Sequence, residues 1–185
     1  GQTTCESCTR GSVCAEGATV PLPCAEGSYG AATELSSASQ CTACPAGSFC
    51  STGAQEHTPC APGTFTADEG AASCSPCARG SYQPSSNARS CLVCPVASFC
   101  PLPGSTVPTP CPGGTHSNYT GLREASECTP VGAGFYASTG SQFPEACPAS
   151  GFVCPGAAND EVNAVPGSKP IEVDAGTATR VVTQT

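Results

Sequence analysis

The sequence predicts a small disulfide-rich fold, an elongated tandem array of cysteine-rich repeats with short β-hairpins, followed by a short β-strand tail. Three observations lead to this prediction. The 185 residues include 17 cysteines, which alternate between short and long spacings and all precede residue 157. Ile, Leu, Val and Phe together supply only 24 residues, too few for an ordinary hydrophobic core. Disulfide bridges must therefore replace much of that core.

Charge and cysteine content restrict the function classes. Fourteen acidic and six basic residues give a net charge of −8, which disfavours nucleic acid and anionic lipid surfaces as partners. Abundant cysteine is typical of oxidising compartments, so we expect an extracellular or cell-surface, secreted protein. The chain has no methionine and no apolar run of membrane-spanning length, so we expect a processed protein or a piece of a longer one, with no membrane span in this segment.

Four short loops have one form, with three of them starting Cys-Pro and three carrying Phe shortly before the closing cysteine. They run from Cys8 to Cys14, Cys44 to Cys50, Cys94 to Cys100 and Cys147 to Cys154.

Four longer loops have another form, with a glycine and then an aromatic residue or His near the start. They run from Cys24 to Cys41, Cys60 to Cys74, Cys77 to Cys91 and Cys111 to Cys128. Glycine adopts positive φ without strain, so it is expected to form a tight turn before each aromatic residue. Pairing nearest neighbours in this way uses sixteen cysteines in eight bridges, although spacing alone does not fix connectivity. The aromatic residues are expected to lie over the bridges as a small core: Tyr29, Phe65, Tyr82 and Tyr136.

Two irregularities bear on the pairing. Cys5 stands where a long loop would close, so its partner is expected upstream of Gly1; an intermolecular bond or a free thiol is the alternative. After Cys128 the next long loop should open at Val131 and close at Pro144, and neither is a cysteine. The joint loss of both members of one expected pair supports the pairing scheme.

Spacing also suggests a division into segments. We expect cysteine-rich repeats over 1–50, continuing upstream, a unit with a Pro-rich connector over 51–110, a unit lacking one bridge over 111–156, and a linker and strand tail over 157–185. In the tail, Ile171, Val173 and Ala175 alternate with acidic residues, which indicates a strand pair around Gly176. This pair would begin a further β domain or contact another subunit.

One motif carries a family resemblance. The pattern C-x-x-C-P-x-G-x-[FY] from Cys41 to Phe49, and more loosely from Cys74 to Tyr82 and from Cys91 to Phe99, resembles the ephrin-receptor-like cysteine-rich repeat. That repeat is related in style to EGF-like and TNF-receptor modules. The resemblance covers roughly residues 1–156. Similar repeats occur in receptor ectodomains and in large surface proteins of unicellular eukaryotes, including proteins similar to flagellar-hair (mastigoneme) components. The richness in Ala, Gly, Ser and Thr looks more like the second group.

Catalytic and metal chemistry find little support. Four cysteines approach a zinc-ribbon spacing, but a zinc site would leave many neighbouring cysteines unexplained, and no βαβ pattern supports a thioredoxin-like site. His57 and His116 lie in loops without a triad context. We therefore expect no enzyme, no cofactor and no metal site. The cysteines of the zinc alternative are Cys74, Cys77, Cys91 and Cys94.

Two stretches are candidates for modification. Asn118-Tyr119-Thr120 is an N-glycosylation acceptor sequence in a long loop, with Asn118 as the acceptor. The stretch 101–110 reads as an extended Pro-rich spacer that is either unmodified or a site of O-glycosylation or proline hydroxylation.

These observations favour a structural extracellular glycoprotein, a rod-like repeat segment of a filament, flagellar hair or cell-surface coat. Its partners would be other copies of itself or other filament or coat proteins. The alternative is the stalk or ligand-binding ectodomain of a cell-surface receptor, which would present an exposed binding patch.

Overall fold

Short hairpins make up the secondary structure of the chain. The computed structural model describes residues 8–148, 152–154 and 171–172. Within these residues, 18 two-residue strands form nine two-stranded sheets, and two three-residue 3-10 helices occur at Ala38–Gln40 and Ala125–Glu127. The predicted disulfide-rich tandem array of short β-hairpins is confirmed.

Each sheet joins two strands that follow one another in the chain. The pairs are β1 (Ser12–Val13) with β2 (Leu22–Pro23), β3 (Ser28–Tyr29) with β4 (Thr42–Ala43), β5 (Ser48–Phe49) with β6 (Thr58–Pro59), β7 (Thr64–Phe65) with β8 (Ser75–Pro76), β9 (Ser81–Tyr82) with β10 (Leu92–Val93), β11 (Ser98–Phe99) with β12 (Thr109–Pro110), β13 (Thr115–His116) with β14 (Thr129–Pro130), β15 (Phe135–Tyr136) with β16 (Glu145–Ala146), and β17 (Phe152–Val153) with β18 (Ile171–Glu172).

A single repeating unit underlies these hairpins. In the first eight repeats the unit starts with an opening residue, continues through two further residues to a turn residue, and then enters its first strand. Successive opening residues lie 16 to 20 positions apart. The opening residues are Cys8, Cys24, Cys44, Cys60, Cys77, Cys94, Cys111, Val131 and Cys147, and each repeat is named here by its opening residue.

The turn residue has positive φ, as predicted for the glycines before the aromatic residues. Gly27 has φ +80°, and the N–H of Ser28 closes the turn by donating to the carbonyl of Ala25 at 3.1 Å. The Ser28 hydroxyl donates to the same carbonyl at 2.8 Å, and the Thr64 and Thr115 hydroxyls make the equivalent bond in their own repeats. Ala97 is an exception that holds a side chain at φ +59°. The turn residues are Gly11, Gly27, Gly47, Gly63, Gly80, Ala97, Gly114 and Gly134.

Short and long loops differ in which residue forms the disulfide with the buried opening cysteine. In three short loops, those opened by Cys8, Cys44 and Cys94, the opening cysteine bonds to the residue three places after the turn residue, and the Cys147–Cys154 loop is one residue longer. In long loops the opening cysteine bonds to the residue just before the second strand. The structure joins the eight pairs expected from spacing. They are Cys8–Cys14, Cys24–Cys41, Cys44–Cys50, Cys60–Cys74, Cys77–Cys91, Cys94–Cys100, Cys111–Cys128 and Cys147–Cys154.

Half-cystines, and not aromatic rings, fill most of the interior. Cys44, Cys60 and Cys94 are fully buried. The loop-start aromatic residues were expected to form the core, but Tyr29 and Phe65 are only half-buried.

The chain divides into two compact units. The first comprises the described residues of Gly1–Ala78, Tyr82–Leu92 and Pro103–Val107. It contains an apolar cluster of Val13, Cys24 and Leu35, with Cys41 packed against it. The second comprises the described residues of Arg79–Ser81, Val93–Leu102 and Pro108–Thr185, and buries Val131 and Ala137 among its half-cystines. The segment boundaries expected from spacing stay a prediction.

Two expectations fall partly or wholly outside the described residues. Cys5 lies outside them. In the tail, Ile171–Glu172 forms a strand, as predicted, and pairs antiparallel with Phe152–Val153. The remaining members of the expected strand pair around Gly176 lie outside the described residues.

Candidate functional site

The junction between consecutive repeats is the most regular feature of the chain. Each turn residue uses both of its backbone groups there. The N–H of Gly47 donates to the carbonyl of Thr66 in the next repeat at 2.9 Å, and the N–H of the next opening residue, Cys60, donates to the carbonyl of Gly47 at 2.8 Å. The same two bonds recur at the other turn residues, including the non-glycine Ala97, which donates to Ser117 and accepts from Cys111. The turn therefore positions one repeat and also attaches the next.

Two further hydrogen bonds complete each junction. The N–H of Gly70 donates to the carbonyl of the preceding opening residue, Cys44, at 2.8 Å, and the N–H of Cys50 donates to the carbonyl of Ala71 at 3.1 Å. Gly70 represents a second positive-φ position in each repeat, here named the loop residue. In seven consecutive repeats the loop residue makes this bond: Glu34, Gly53, Gly70, Asn87, Gly104, Gly121 and Gly140.

These four bonds form a backbone ladder that does not depend on side-chain identity. Every one of them lies within one of the two compact units. A buried backbone N–H or carbonyl group without a hydrogen-bond partner costs free energy. The ladder supplies these partners in a chain that has little regular sheet. The ladder connects consecutive repeats, and its backbone N–H and carbonyl groups are not chemically reactive.

Close packing adds a contact between repeats two apart. A Cβ placed on Gly63 would lie 2.2 Å from the carbonyl oxygen of Gly104, a distance that real Cβ atoms do not reach. No described atom lies within 4 Å of a Cβ built at Gly134, although its φ is the same to within a few degrees. The close approach thus requires glycine beyond the demand of φ alone. The other turn glycines in such contact are Gly11, Gly27, Gly47 and Gly80, at 2.1 to 2.6 Å.

The Val131 repeat keeps the fold without a bridge. Val131 is 3% exposed, occupies the place of an opening cysteine and donates its N–H to the carbonyl of Gly114 at 3.0 Å. Its hairpin pairs Tyr136 with Glu145, and the Tyr136 hydroxyl donates to the Glu145 carboxylate. That hydrogen bond raises the pKa of Tyr136, because it stabilises the protonated phenol. A hydrophobic side chain and a cross-strand hydrogen bond therefore stand where other repeats have a disulfide.

The charged side chain of Arg79 links three repeats through residues that belong to the second compact unit. Arg79 donates through Nη2 to Glu124 Oε1 at 2.8 Å and through Nε to the carbonyl of Pro101 at 2.9 Å. Both charged side chains are about half exposed, so the ion pair itself contributes little. Close by, the backbone N–H of Arg123 donates to the Glu127 carboxylate and lowers the pKa of Glu127.

The histidines do not assemble into a reactive group. The His57 ring makes an edge-to-face contact with Tyr29, with 5.8 Å between ring centroids. His116 is half-buried in β13, and its Nδ1 has no hydrogen-bond partner among the described residues. No cluster of three or more His, Cys, Asp or Glu side chains suited to a metal occurs in the part of the chain that the structure describes. The four cysteines of the zinc alternative are distributed over three different bridges.

Helices are too short to cross a bilayer. Within the described ranges, no helix has the length and apolar character of a membrane span.

The sequon lies on an accessible loop. Asn118 and Thr120 are exposed and follow β13 directly. Ser117 beneath them is 1% exposed, and its hydroxyl oxygen accepts the N–H of Tyr119 at 3.1 Å. The buried serine anchors the loop, which leaves the Asn118 side chain in solvent.

Sequence reasoning separated short and long loops and missed the unit they share. The signal was present, since C-x-x-G-[ST] followed by an aromatic residue recurs across both loop types. It also missed the loop residue, for which the signal is a glycine nine or ten positions after the opening residue, as in Gly53 and Gly104. The substitutions Glu34 and Asn87 obscured that second pattern.

Comparison with known proteins agrees with the motif. Residues 63–111 match the family described as "Tyrosine-protein kinase ephrin type A/B receptor-like". No curated protein matches the chain. The matched segment starts at the turn glycine Gly63 and ends at the opening residue Cys111, so it includes two complete repeats. The chain is thus a protein of tandem disulfide-rich cysteine repeats, and its residues 63–111 are of the ephrin-receptor-like type.

Proposed function

We propose that this chain is a structural segment of an extracellular glycoprotein, a rod-like part of a filament, flagellar hair or cell-surface coat. The observation that carries the proposal is the repeated junction, in which four backbone hydrogen bonds attach each repeat to the next while a covalent bridge closes the repeat itself. Contacts that recur between near neighbours suit a chain that grows in one dimension.

The chemistry of such a segment is mechanical. A bridge limits how far its own loop can extend, and a chain-entropy estimate assigns about 3 kcal/mol to a loop of fifteen residues. The backbone ladder resists separation of the repeats. Catalysis is no part of this proposal, and neither a metal nor a cofactor is needed for it.

Its location follows from the bridges. Eight disulfides require an oxidising compartment, which supports a secreted or cell-surface protein. An N-glycan at Asn118 would then project from the loop after β13. Replacing Asn118→Gln should remove one glycan from the secreted protein and leave its disulfide map unchanged.

A second candidate is the stalk or ligand-binding ectodomain of a receptor. It is favoured by the ephrin-receptor-like match and by exposed apolar side chains such as Leu102 and Val107, at 67% and 68% exposure. Such a protein would stay monomeric or dimeric and would bind a ligand through an exposed patch.

Electron microscopy of native material separates the two candidates. Cell-surface material from the producing cells would be labelled with an antibody raised against the fully bridged protein. Gold particles along regular fibres are expected. Label confined to dispersed particles, or spread over the plasma membrane without fibres, would contradict the filament proposal and favour the receptor.

A further inference from the structure

Five of the eight second strands from β2 to β16 begin with a hydroxyl-bearing residue, and these are Thr42, Thr58, Ser75, Thr109 and Thr129. Both residues of each of β2, β4, β6, β8, β10, β12, β14 and β16 are exposed. Three of these strands have the identical sequence Thr-Pro, in which the threonines are Thr58, Thr109 and Thr129.

These hydroxyls differ from those of the first strands. The Ser28, Thr64 and Thr115 hydroxyls are occupied, since each donates to a turn carbonyl at 2.7 to 2.8 Å. No hydrogen bond holds the hydroxyl of Thr58 or Thr129 within the residues that the structure describes. The Ser28, Thr64 and Thr115 hydroxyls therefore stabilise their turns, whereas the Thr58 and Thr129 hydroxyls are accessible to a modifying enzyme.

The hairpin register places a ring opposite each of these threonines. Thr58 pairs with Phe49, Thr109 with Phe99 and Thr129 with His116. Side chains of directly opposed residues lie on the same face of the sheet, about 5 Å apart at Cβ. The rings are half-buried, so a group attached to the threonine can rest on apolar surface while its far side stays in solvent.

Proline after each threonine favours an extended, accessible backbone. Proline cannot donate to a further strand, and it restricts the preceding residue to extended conformations. The same geometry occurs without proline at Thr42, which pairs with Tyr29 and precedes Ala43. The chain thus holds an internal control for the effect of proline.

From this arrangement we propose that Thr58, Thr109 and Thr129 are O-glycosylated, so that three hairpins carry sugars at the same position of their second strands. The inference rests on the proposed secreted location. In the reaction, Oγ1 of the threonine attacks the anomeric carbon of a nucleoside diphosphate sugar held by a glycosyltransferase. A carbon–oxygen bond to threonine forms, the bond to the diphosphate breaks, and the hydroxyl proton passes to a base of the transferase.

Mass spectrometry of the protein secreted by its own cells tests the proposal. Peptides would be prepared without reduction and fragmented by electron transfer, which keeps sugars in place. The expected result is glycan mass on the peptides with Thr58, Thr109 and Thr129, and none on Thr42. The triple variant Thr58→Val, Thr109→Val, Thr129→Val should lose all three increments with its disulfide map intact, whereas Thr42→Val should change nothing.

Other outcomes overturn the proposal. Bare threonines in a fully bridged protein refute the glycosylation alone and leave the structural function standing, as does an oxygen added to Pro59 or Pro110 beside an unmodified threonine. Equal glycan mass on Thr42 refutes the selection by proline. Free thiols in the native secreted protein would refute the proposed location and function as well.

Discussion

Glycine acts at two positions of each repeat, and for two separate physical reasons. The turn glycines need positive φ, which costs an L-residue about 1 kcal/mol or more. Several of them also lie against a carbonyl oxygen two repeats away, as Gly63 does against Gly104. Ala97, which also has positive φ, shows that one repeat folds despite the free-energy cost of this conformation in a residue other than glycine.

Replacing two turn glycines separates these reasons. Gly134→Ala meets no described neighbour and should lower the free energy of unfolding by about 1 kcal/mol, the cost of positive φ. Gly63→Ala adds a clash with backbone at Gly104 and should cost a further 1 to 3 kcal/mol, roughly the range of overpacking. Guanidinium unfolding of the fully bridged proteins measures the difference. Equal losses in the two variants would show that the contact between repeats does not contribute.

Sequence analysis reached the turn glycines and not their contacts. Positive φ was predictable, because Gly-Ser-Tyr and Gly-Thr-Phe recur after a cysteine. The approach of Gly63 to Gly104 joins residues 41 positions apart, and no local pattern specifies it.

At the level of the hairpin, one buried cysteine has two possible partners. The short loops opened by Cys8, Cys44 and Cys94 use the position three residues after the turn, and a long loop uses the position before the second strand. Where the first position is not cysteine, a small or hydrogen-bonded residue fills it, such as Ser117, or Gln83, whose Nε2 donates to the carbonyl of Ser90 at 2.8 Å. The turn and the backbone ladder therefore determine the hairpin conformation, and the disulfide bridge forms at one of two positions within that hairpin.

The Val131 repeat allows this view to be tested. Val131→Cys with Pro144→Cys recreates the long-loop pair, whose Cα atoms lie 5.7 to 6.0 Å apart in the other repeats. The double variant should form a ninth bridge and gain up to about 3 kcal/mol in unfolding free energy. Thiol titration and guanidinium unfolding give the readout.

The single variants Val131→Cys and Pro144→Cys are the controls. Each should secrete less well than the double variant, since it leaves one extra thiol in an oxidising compartment. Two free thiols in a folded double variant would show that this hairpin differs from its neighbours.

Hairpin class and bridge pattern were predictable from spacing because each bridge closes a loop of 6 to 17 residues. Loops this short leave few alternatives. Cysteine spacing alone does not show that short and long loops share one opening position, because the closing cysteine differs between them; the C-x-x-G-[ST] pattern common to both does show it.

Over the whole chain, stability is expected to accumulate from one junction to the next, without a central core. Each repeat adds one set of four backbone bonds and most add one bridge. The ladder could not be predicted from composition, because it uses backbone groups such as those of Gly47 and Cys60 that any residue possesses. What the sequence does specify is where those groups can meet, through glycine at the turn and loop positions.

The bridge map of the native protein tests this account most directly. Non-reducing digestion between the paired cysteines, followed by mass spectrometry, should recover peptides linked Cys44–Cys50, Cys60–Cys74 and Cys77–Cys91. These links would show that the opening cysteines Cys44, Cys60 and Cys77 are each bonded within their own repeat. Links that cross repeats, such as Cys74 to Cys91, or free thiols at these positions would contradict the account.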